Sequence, residues 1–395
     1  MTGPSHAPQL LSETLRYARE REYTGWDYAD GMSSELLAMV PVENRWLNLA
    51  VQETIKRAPI NLRPYAGVIP RQSFKGTGLF AMANVNAARL FDRECYEREA
   101  DDLLSWLVEN RTPGYSGFCG SHQHRIQHPD RMGTLADPDV VSTGFAVQGL
   151  LAGEHLDPTY GEMARTAAEF VLTDLEYTER EDGARIKYVP SNTTEYYTVN
   201  AVGIGARILV DVYARFGGEE LIECATALFD YIVSRQTADG GWYYRDPPES
   251  SHLSMDNHHN GFIIECLLRY EAITGADRYT DAIRRAVAFY RKTLFASDGA
   301  PNWDERRRYP KDIHAVAQGI IVFSEVGEFE FVERIIDWAL GHLYGGGGRF
   351  YFREHRLYTK RYTLMRWCQA WMAYALSEYL IALRAEPISA GCRAS

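Results

Sequence analysis

Residues 256–262 read Asp-Asn-His-His-Asn-Gly-Phe and run straight into the apolar stretch FIIECLLRYEAITG. Capping the helix that such a stretch forms takes one side-chain oxygen, from Asp256 or Asn257. His258, His259 and Asn260 are then available for other work. Two imidazoles beside a carboxylate can take up and release protons near neutral pH, and amides can bind hydroxyl groups. The pattern recurs along the chain. Thr143, Asn200, Asn260, His314 and Gln369 each stand immediately before a small residue in an apolar run, and Asn86 does so in a more distant copy. Thr143, Asn200 and Asn260 are good capping residues, whereas His314 and Gln369 are poor ones. A polar ring gathered from separate segments is the arrangement a polyhydroxylated ligand needs.

The elements that would position this ring follow from its spacing. Gly144, Ala201, Gly261, Ala315 and Ala370 are 57, 60, 54 and 55 residues apart, and Ala87 continues the series toward the N-terminus. A fixed period of this length marks repeated supersecondary units. Each apolar run is followed by an amphipathic one, as in YTDAIRRAVAFYRKTLF and FEFVERIIDWAL. Six helix pairs, the first member uniformly apolar and the second apolar on one face, predict an all-α fold. That fold is an (α/α)6 toroid of inner and outer helices. Glycine turns with aromatic-rich pieces (PGYSGF, EDGARIKYVP, ADGGWYYRD, SDGAPNW and GGGGRFYF) predict short β-hairpins on one rim. Residues 76–385 are expected to form the toroid, 1–75 a helical segment that closes or caps it, and 386–395 a flexible tail.

Tyr115, Tyr188, Trp242, Tyr243, Tyr244, Trp303, Tyr351 and Tyr358 lie on or beside these rim pieces, where flat rings can face the C–H side of a sugar. The stretch RFYFREHRLYTKRYTLMR ends in Arg366, beside Trp367, and carries six basic residues against one Glu. DERRRYPKD adds Arg306, Arg307, Arg308 and Lys311. Basic clusters in an acidic chain suit an anionic ligand such as a uronic acid carboxylate. The expected substrate-binding residues are Asn200, Trp242, Asp256, His259, Asn260, Trp303, His314, Tyr351, Arg366, Trp367 and Gln369. Glycoside hydrolysis needs two carboxylates across the sugar, for which Asp256 and Asp312 are candidates. SRQTADGGW resembles the QW repeat of terpene cyclases, another helical toroid family, but no DxDD or DDxxD cluster accompanies it. A third chemistry is proton abstraction at C5 of a uronic acid. It requires a base on one face, an acid on the other and neutralisation of the carboxylate.

Two stretches carry a family resemblance. YVPSNTTEYYTVNAVG resembles the Tyr-Pro…Val-Leu-Asn-Gly segment of the D-glucuronyl C5-epimerase family, and GGWYYRDP…SMDNHHN resembles its Gly-x-x-Tyr…Trp-Asp-Tyr-His segment. The match covers about residues 188–262. The resemblance implies a uronic-acid C5-epimerase acting on a glucuronate-containing glycan, with Tyr188, Tyr243 and His258 catalytic. Asn257 stands where the family has a third tyrosine, so the resemblance implies that His258 shares that role. A hydrolase or lyase acting on uronic-acid polysaccharide is the alternative, and a noncatalytic glycan-binding toroid is another.

The composition narrows the remaining classes. The chain has 395 residues, 46% of them hydrophobic, and a formal charge of −11, which disfavours binding to nucleic acid or acidic membrane surfaces. Six cysteines lie far apart without metal-ligand spacing, so free thiols are expected and a zinc site is not. No Gly-rich phosphate loop follows a strand pattern, so neither nucleotide nor metal cofactor is expected. The first twenty residues lack the basic start and apolar core of a secretion signal, and no apolar run is long enough for stable membrane insertion. The expectation is a cytoplasmic protein acting on a uronic-acid-containing oligosaccharide or polysaccharide, possible as a homodimer.

Overall fold

The computed structural model describes residues 6–39, 44–128 and 132–385. The expected tail, 386–395, and Cys392 within it lie outside these residues. Helices α1 (Ala7–Arg19), α2 (Glu35–Ala38) and α3 (Arg45–Arg57) come first. Inner and outer helices then alternate: α4 (Phe74–Phe91), α5 (Glu94–Glu109), α6 (Val140–Ala152), α7 (Pro158–Glu169), α8 (Val199–Phe216), α9 (Glu219–Ser234), α10 (Asn257–Thr274), α11 (Thr280–Thr293), α12 (Ile313–Glu325), α13 (Phe329–His342) and α14 (Trp371–Ala385).

The even-numbered helices from α4 to α14 each pack on the next, and α14 packs back on α4, so the ring is closed. This is the expected (α/α)6 toroid. The inner helices are buried on every side, because all of Val140–Leu150 in α6 and Ile313–Ser324 in α12 are withdrawn from solvent. An outer helix buries one stripe: Ala282, Ile283, Ala286, Phe289 and Tyr290 of α11 face inward while Arg284 and Arg285 face solvent. α1 takes the sixth outer position, packing on α14 and α4 with Leu10, Leu11, Leu15 and Ala18. The N-terminal segment therefore completes the ring and also, beyond α1, covers it.

Six parallel inner helices bring six N-termini to one mouth. Ser73, Asp139, Asp256 and Asp312 cap α4, α6, α10 and α12 there, each side chain accepting a first-turn N–H. The three aspartates are nearly fully buried. Short hairpins form as expected: Ile126–Gln127 with Met132–Gly133, Thr178–Arg180 with Gly183–Arg185, and Arg353–Glu354 with Thr359–Lys360. In addition, Tyr197–Thr198 pairs with Arg245–Asp246, and Lys311–Asp312 with Arg353–Glu354. These pairings run between neighbouring sectors and tie the start of each inner helix to the piece that follows the next outer helix.

A second tie explains three of the six recurrent polar residues. Asn260 Oδ1 accepts from Trp242 N (2.8 Å), and its Nδ2 donates to Trp242 O (3.0 Å) and Asp256 O (2.8 Å). Gln369 repeats the motif: Oε1 accepts from Phe350 N (2.8 Å) and Nε2 donates to Gly348 O (2.7 Å). Thr143 Oγ1 accepts from Gly120 N (3.1 Å) and donates to Asp139 O (2.8 Å). Contrary to the ligand-ring expectation, Asn260 and Gln369 spend their amides on rim backbone.

The sector of His314 is built differently. The bridge Phe295–Pro301 corresponds to the bridge Tyr344–Phe350, so Pro301 stands where Phe350 stands one sector later. Proline has no N–H to hold, and a stapling side chain has nothing to do. The sixth copy is also displaced: α4 begins at Phe74, so Asn86 lies near its far end and donates to Ser377 and Glu378. The small residues at the mouth of α4 are Gly76 and Gly78, preceded by Lys75.

Residues 20–39 and 44–73 lie over the mouth. Met365 N donates to Trp26 O (2.9 Å), Trp26 Nε1 to Val68 O (2.9 Å), and Lys360 Nζ to the carbonyls of Lys56 and Arg57 (3.0 Å each). Gly25 sits so close to Met365 that a Cβ would come within 2.6 Å of its side chain. Replacing Asn260 by Ala should leave Trp242 N–H and C=O buried without partners and cost roughly 2–4 kcal/mol in denaturant unfolding. A loss below about 0.5 kcal/mol would contradict the stapling role.

Candidate active site

The start of α10 and the start of α12 place three imidazoles together. The rings of His258 and His314 stack with centroids 4.5 Å apart and planes 25° apart, and His259 lies 4.0 Å from His258. Trp371 and Trp367 flank His314 at 4.4 and 4.7 Å. Asp256 holds the other end: His259 Nδ1 lies 2.9 Å from both of its oxygens and His258 Nδ1 lies 3.4 Å from one. One ligating atom from each of Asp256, His258 and His259 lies within 4.8 Å of the others, the one such trio among the described residues. The 2.9 Å contacts are those of a carboxylate–imidazole hydrogen bond. Both nitrogens of His314 are buried and unpaired. Burial holds both His258 and His314 well below the usual histidine pKa, helped at His258 by His259, Lys75, Arg353 and Arg366 and at His314 by His258, Lys75, Arg366 and His259, so both are neutral at pH 7.

Asp312 organises the next layer. It accepts from His314 N (2.9 Å) and Trp367 Nε1 (2.8 Å) and is salt-bridged by Arg353. Arg353 in turn lies 4.8 Å over the ring of Trp303. The covering segment contributes Tyr28, stacked on Trp367 at 4.5 Å, and Asp27, paired with Arg366 Nε at 2.5 Å. Burial alone would raise Asp27, but Arg366 and His124 outweigh it and keep the carboxyl ionised.

Lys75 enters from α4. Its ammonium lies 4.8 Å from the Phe145 ring and 5.0 Å from Phe262 and Trp371, the same two rings that contact His314. Among the described residues, no salt bridge neutralises it. Burial, assisted by Arg366, lowers its pKa to about 7 against the opposing pull of Asp139. On the α6 side, His122 Nε2 lies 3.6 Å from Asp139 Oδ2, and His122 packs 5.8 Å from His124. His122 Nδ1, Asp139 Oδ2, His124 Nε2, Asn200 Oδ1 and Trp371 Nε1 are all buried and unpaired. Burial lowers the His122 pKa to about 4 although Asp139 opposes it. Buried polar atoms are almost always satisfied, so such a concentration at one mouth marks a place that water or ligand completes.

Of the residues singled out from sequence, Asp256, His258, His259, His314, Arg366 and Trp367 come together here, with Trp303 at the edge and Asn200 among the unpaired groups. Trp242 is a core residue whose Nε1 donates to Ile232 O (2.8 Å). Tyr351 accepts from Arg349 within its own turn (3.2 Å). Tyr243 is half-buried against the core edge, while its neighbour Tyr244 packs on His259 at 4.4 Å, with burial raising its phenol to about 12. Tyr188 is half-buried on the same rim, its carbonyl accepting from Val140 N (3.1 Å). Arg306, Arg307 and Arg308 are exposed, and the first two pair with Glu305 and Asp304. Sequence reasoning missed Lys75, His122, Asp139, Asp27, Arg353 and Trp371. Lys75 carried a usable signal, a lone lysine at the start of an apolar run in a chain with six lysines. A wide groove of about 490 Å³ between α8, α9 and α10, lined by Tyr213 and Tyr270, involves none of these groups.

A closed ring of inner and outer helices with its unpaired polar atoms at the N-terminal mouth makes this chain an (α/α)6 toroid. Among solved structures it is similar to the cellobiose 2-epimerase of Bacillus thermoamylovorans B4167 (15% identity, 78% of this chain and 88% of that one, TM-score 0.65). It is similar also to an unsaturated glucuronyl hydrolase specific for heparin (13%, 97% and 99%, 0.64) and to a D-mannose isomerase (10%, 79% and 87%, 0.62). At these identities the likeness is one of fold. No family model and no curated protein sequence matches the chain.

Lys75 gives a direct electrostatic prediction. Its folded pKa of about 7 lies below the ordinary 10.5, so between these values the unfolded chain binds the extra proton and stability rises with pH. Lys75→Met should therefore stabilise the protein most near pH 6–7, with the gain shrinking toward pH 10. Equal gains at both ends in urea titrations would place the ammonium in water instead.

Proposed function

We propose that the chain is a carbohydrate-active enzyme of the epimerase or isomerase kind, which removes and returns a proton on a sugar carbon next to a carbonyl or carboxylate. The observation that carries this reading is the stacked, buried and neutral pair His258–His314, with both nitrogens of His314 unpaired. A neutral imidazole offers a free lone pair at neutral pH, and an anionic substrate bound beside it raises the basicity that burial depresses. As the C–H bond breaks, its electron pair moves into the adjacent carbonyl or carboxylate, where the added negative charge needs a partner. Lys75, lacking a carboxylate partner of its own, stands beside the imidazoles for that purpose. Arg366 and the inner-helix N-termini add positive potential. The likeness of the fold to a sugar epimerase and a sugar isomerase agrees with this chemistry.

The finer assignment is a glucuronate residue, epimerised at C5, as the resemblance around residues 188–262 implies. An unpaired buried cation suits a substrate that brings its own carboxylate. Hydrolysis fits less well, because three of the four mouth carboxylates among the described residues are engaged and only Asp139 keeps an unpaired oxygen. Asp312 holds His314 N, Trp367 and Arg353; Asp256 holds His259; Asp27 holds Arg366.

The test is incubation with a glucuronate-terminated disaccharide, and with cellobiose as the neutral counterpart, in heavy water. Deuterium should enter the sugar without new reducing ends or unsaturated product, and His314→Gln should slow entry by about 100-fold or more. New reducing ends would mean a hydrolase, ultraviolet-absorbing product a lyase, and affinity without any product a binding protein. The pH profile is equally specific. Activity should persist below pH 6.5, where the two imidazoles are still neutral, and fall as pH rises through about 7, where Lys75 loses its charge. Lys75→Arg should remove that alkaline fall, since a guanidinium stays charged. An alkaline fall left unmoved in this variant would exclude Lys75 as the charged partner.

A further inference from the structure

Inversion at carbon needs a proton taken from one face and returned to the other, and His258 and His314 lie in contact on one wall. The ring order gives the opposite wall. The inner helices follow one another as α4, α6, α8, α10, α12 and α14, so α6 stands diametrically across from α12. The mouth of α6 carries its own imidazole and carboxylate. Asp139 is the N-cap of α6, 1% exposed, with Oδ1 accepting from Ser142 N (2.7 Å) and Oδ2 unpaired. His122 presents Nε2 to that oxygen at 3.6 Å and has a buried, unpaired Nδ1. Between the two walls lie Lys75 and Arg366. Arg366 acts electrostatically on His122 and on His314 alike, and Lys75 is drawn toward Asp139 while it repels His258 and His314.

Resting on the proton-transfer reading, we infer that His122 is the second acid–base group, serving the sugar face opposite His314, and that Asp139 is its positioning residue. The neutral imidazole on one wall takes the proton from carbon while the electron pair enters the neighbouring carboxylate or carbonyl. The imidazole across the ring enters the turnover as the imidazolium, having taken its proton from solvent, a form that Asp139 favours at His122. It gives that proton to the same carbon from the other side, so the two imidazoles exchange protonation states and reset through solvent. The electron pair comes back to form the new C–H bond, so no oxidant or reductant is needed. The Asp139 carboxylate selects the tautomer and stabilises the imidazolium that forms.

A two-base device has a signature that a structural role does not share. The probes are a glucuronate-terminated disaccharide and its C5 epimer, with cellobiose and its C2 epimer as a second pair, each in heavy water. Wild-type protein should exchange both members of one pair and interconvert them. His122→Asn should abolish interconversion yet keep exchange for one epimer within about fivefold, while exchange for the other falls about 100-fold or more. His314→Gln should show the mirror image. Asp139→Asn should follow His122→Asn in direction, with a smaller loss. If His122→Asn slows both epimers equally, or leaves interconversion intact, the assignment of His122 is overturned while the proton-transfer reading stands. If wild-type protein exchanges neither pair, both fall together.

Discussion

Six helices that enter a ring from the same side bring all their unpaired first-turn N–H groups to one mouth. The chemistry of that mouth is arranged around this constraint. Three of the helix starts are capped by buried aspartates, and an ionised carboxylate is at home there because the aligned dipoles favour it. Each aspartate then turns toward functional side chains. Asp256 takes His259, Asp312 takes Arg353 and Trp367, and Asp139 faces His122. The capping positions thus serve the backbone and also fix where imidazole, indole and guanidinium stand around the axis.

Much of the architecture was legible because burial writes a period into sequence. Inner helices are apolar throughout, outer helices on one stripe, and the pairing repeats often enough to identify a closed ring. The register of the first inner helix was not legible: VNAARL copies the VNAVGIGARIL pattern, yet in α4 it falls near the far end. The polar ring was legible as a recurrence but not as a role, since an amide before a small residue can face a ligand or hold a neighbouring strand. Asn260 and Gln369 hold strands, and only the hydrogen-bond partners reveal it. Pro301 was the readable clue in the sector of His314, because a proline at the stapled position removes the need for a staple. His122 and Asp27 come from segments outside the repeated helices, and Lys75 from the one inner helix whose register the repeat misplaces, so periodicity says nothing about these residues.

The balance of charge at the mouth distinguishes proton transfer from hydrolysis more clearly than the residue types do. A glycosidase keeps one carboxyl group protonated and another free to act on the sugar. Here Asp27, Asp256 and Asp312 each have a cation, an imidazole or N–H donors within reach. Among the described residues, the groups with atoms left unpaired at the mouth include an imidazole at each side of the ring, His314 and His122, with Asp139 Oδ2 beside the latter, and an ammonium stands between two rings of a tryptophan–phenylalanine wall. Those are the groups that move protons and balance negative charge.

The far end of the same ring supplies the contrast that singles out the mouth. Buried acids occur there too, on helix segments where the dipoles disfavour anions. They are matched: Arg207 and Gln318 take the two oxygens of Glu265, Arg207 and Arg269 take those of Asp211, and Asn86 donates to Glu378. Deeper in the ring and toward that end, Gln318 Oε1, Gln148 Oε1 and Ser324 Oγ remain unpaired, neutral oxygens that a water satisfies at little cost. At the mouth the unpaired atoms are imidazole nitrogens and a carboxylate oxygen, which are costly to bury idle. A fold that pairs its charges at one end and leaves titratable groups open at the other has its chemistry at the open end. That conclusion rests on hydrogen-bond accounting alone, independent of any resemblance to other toroids.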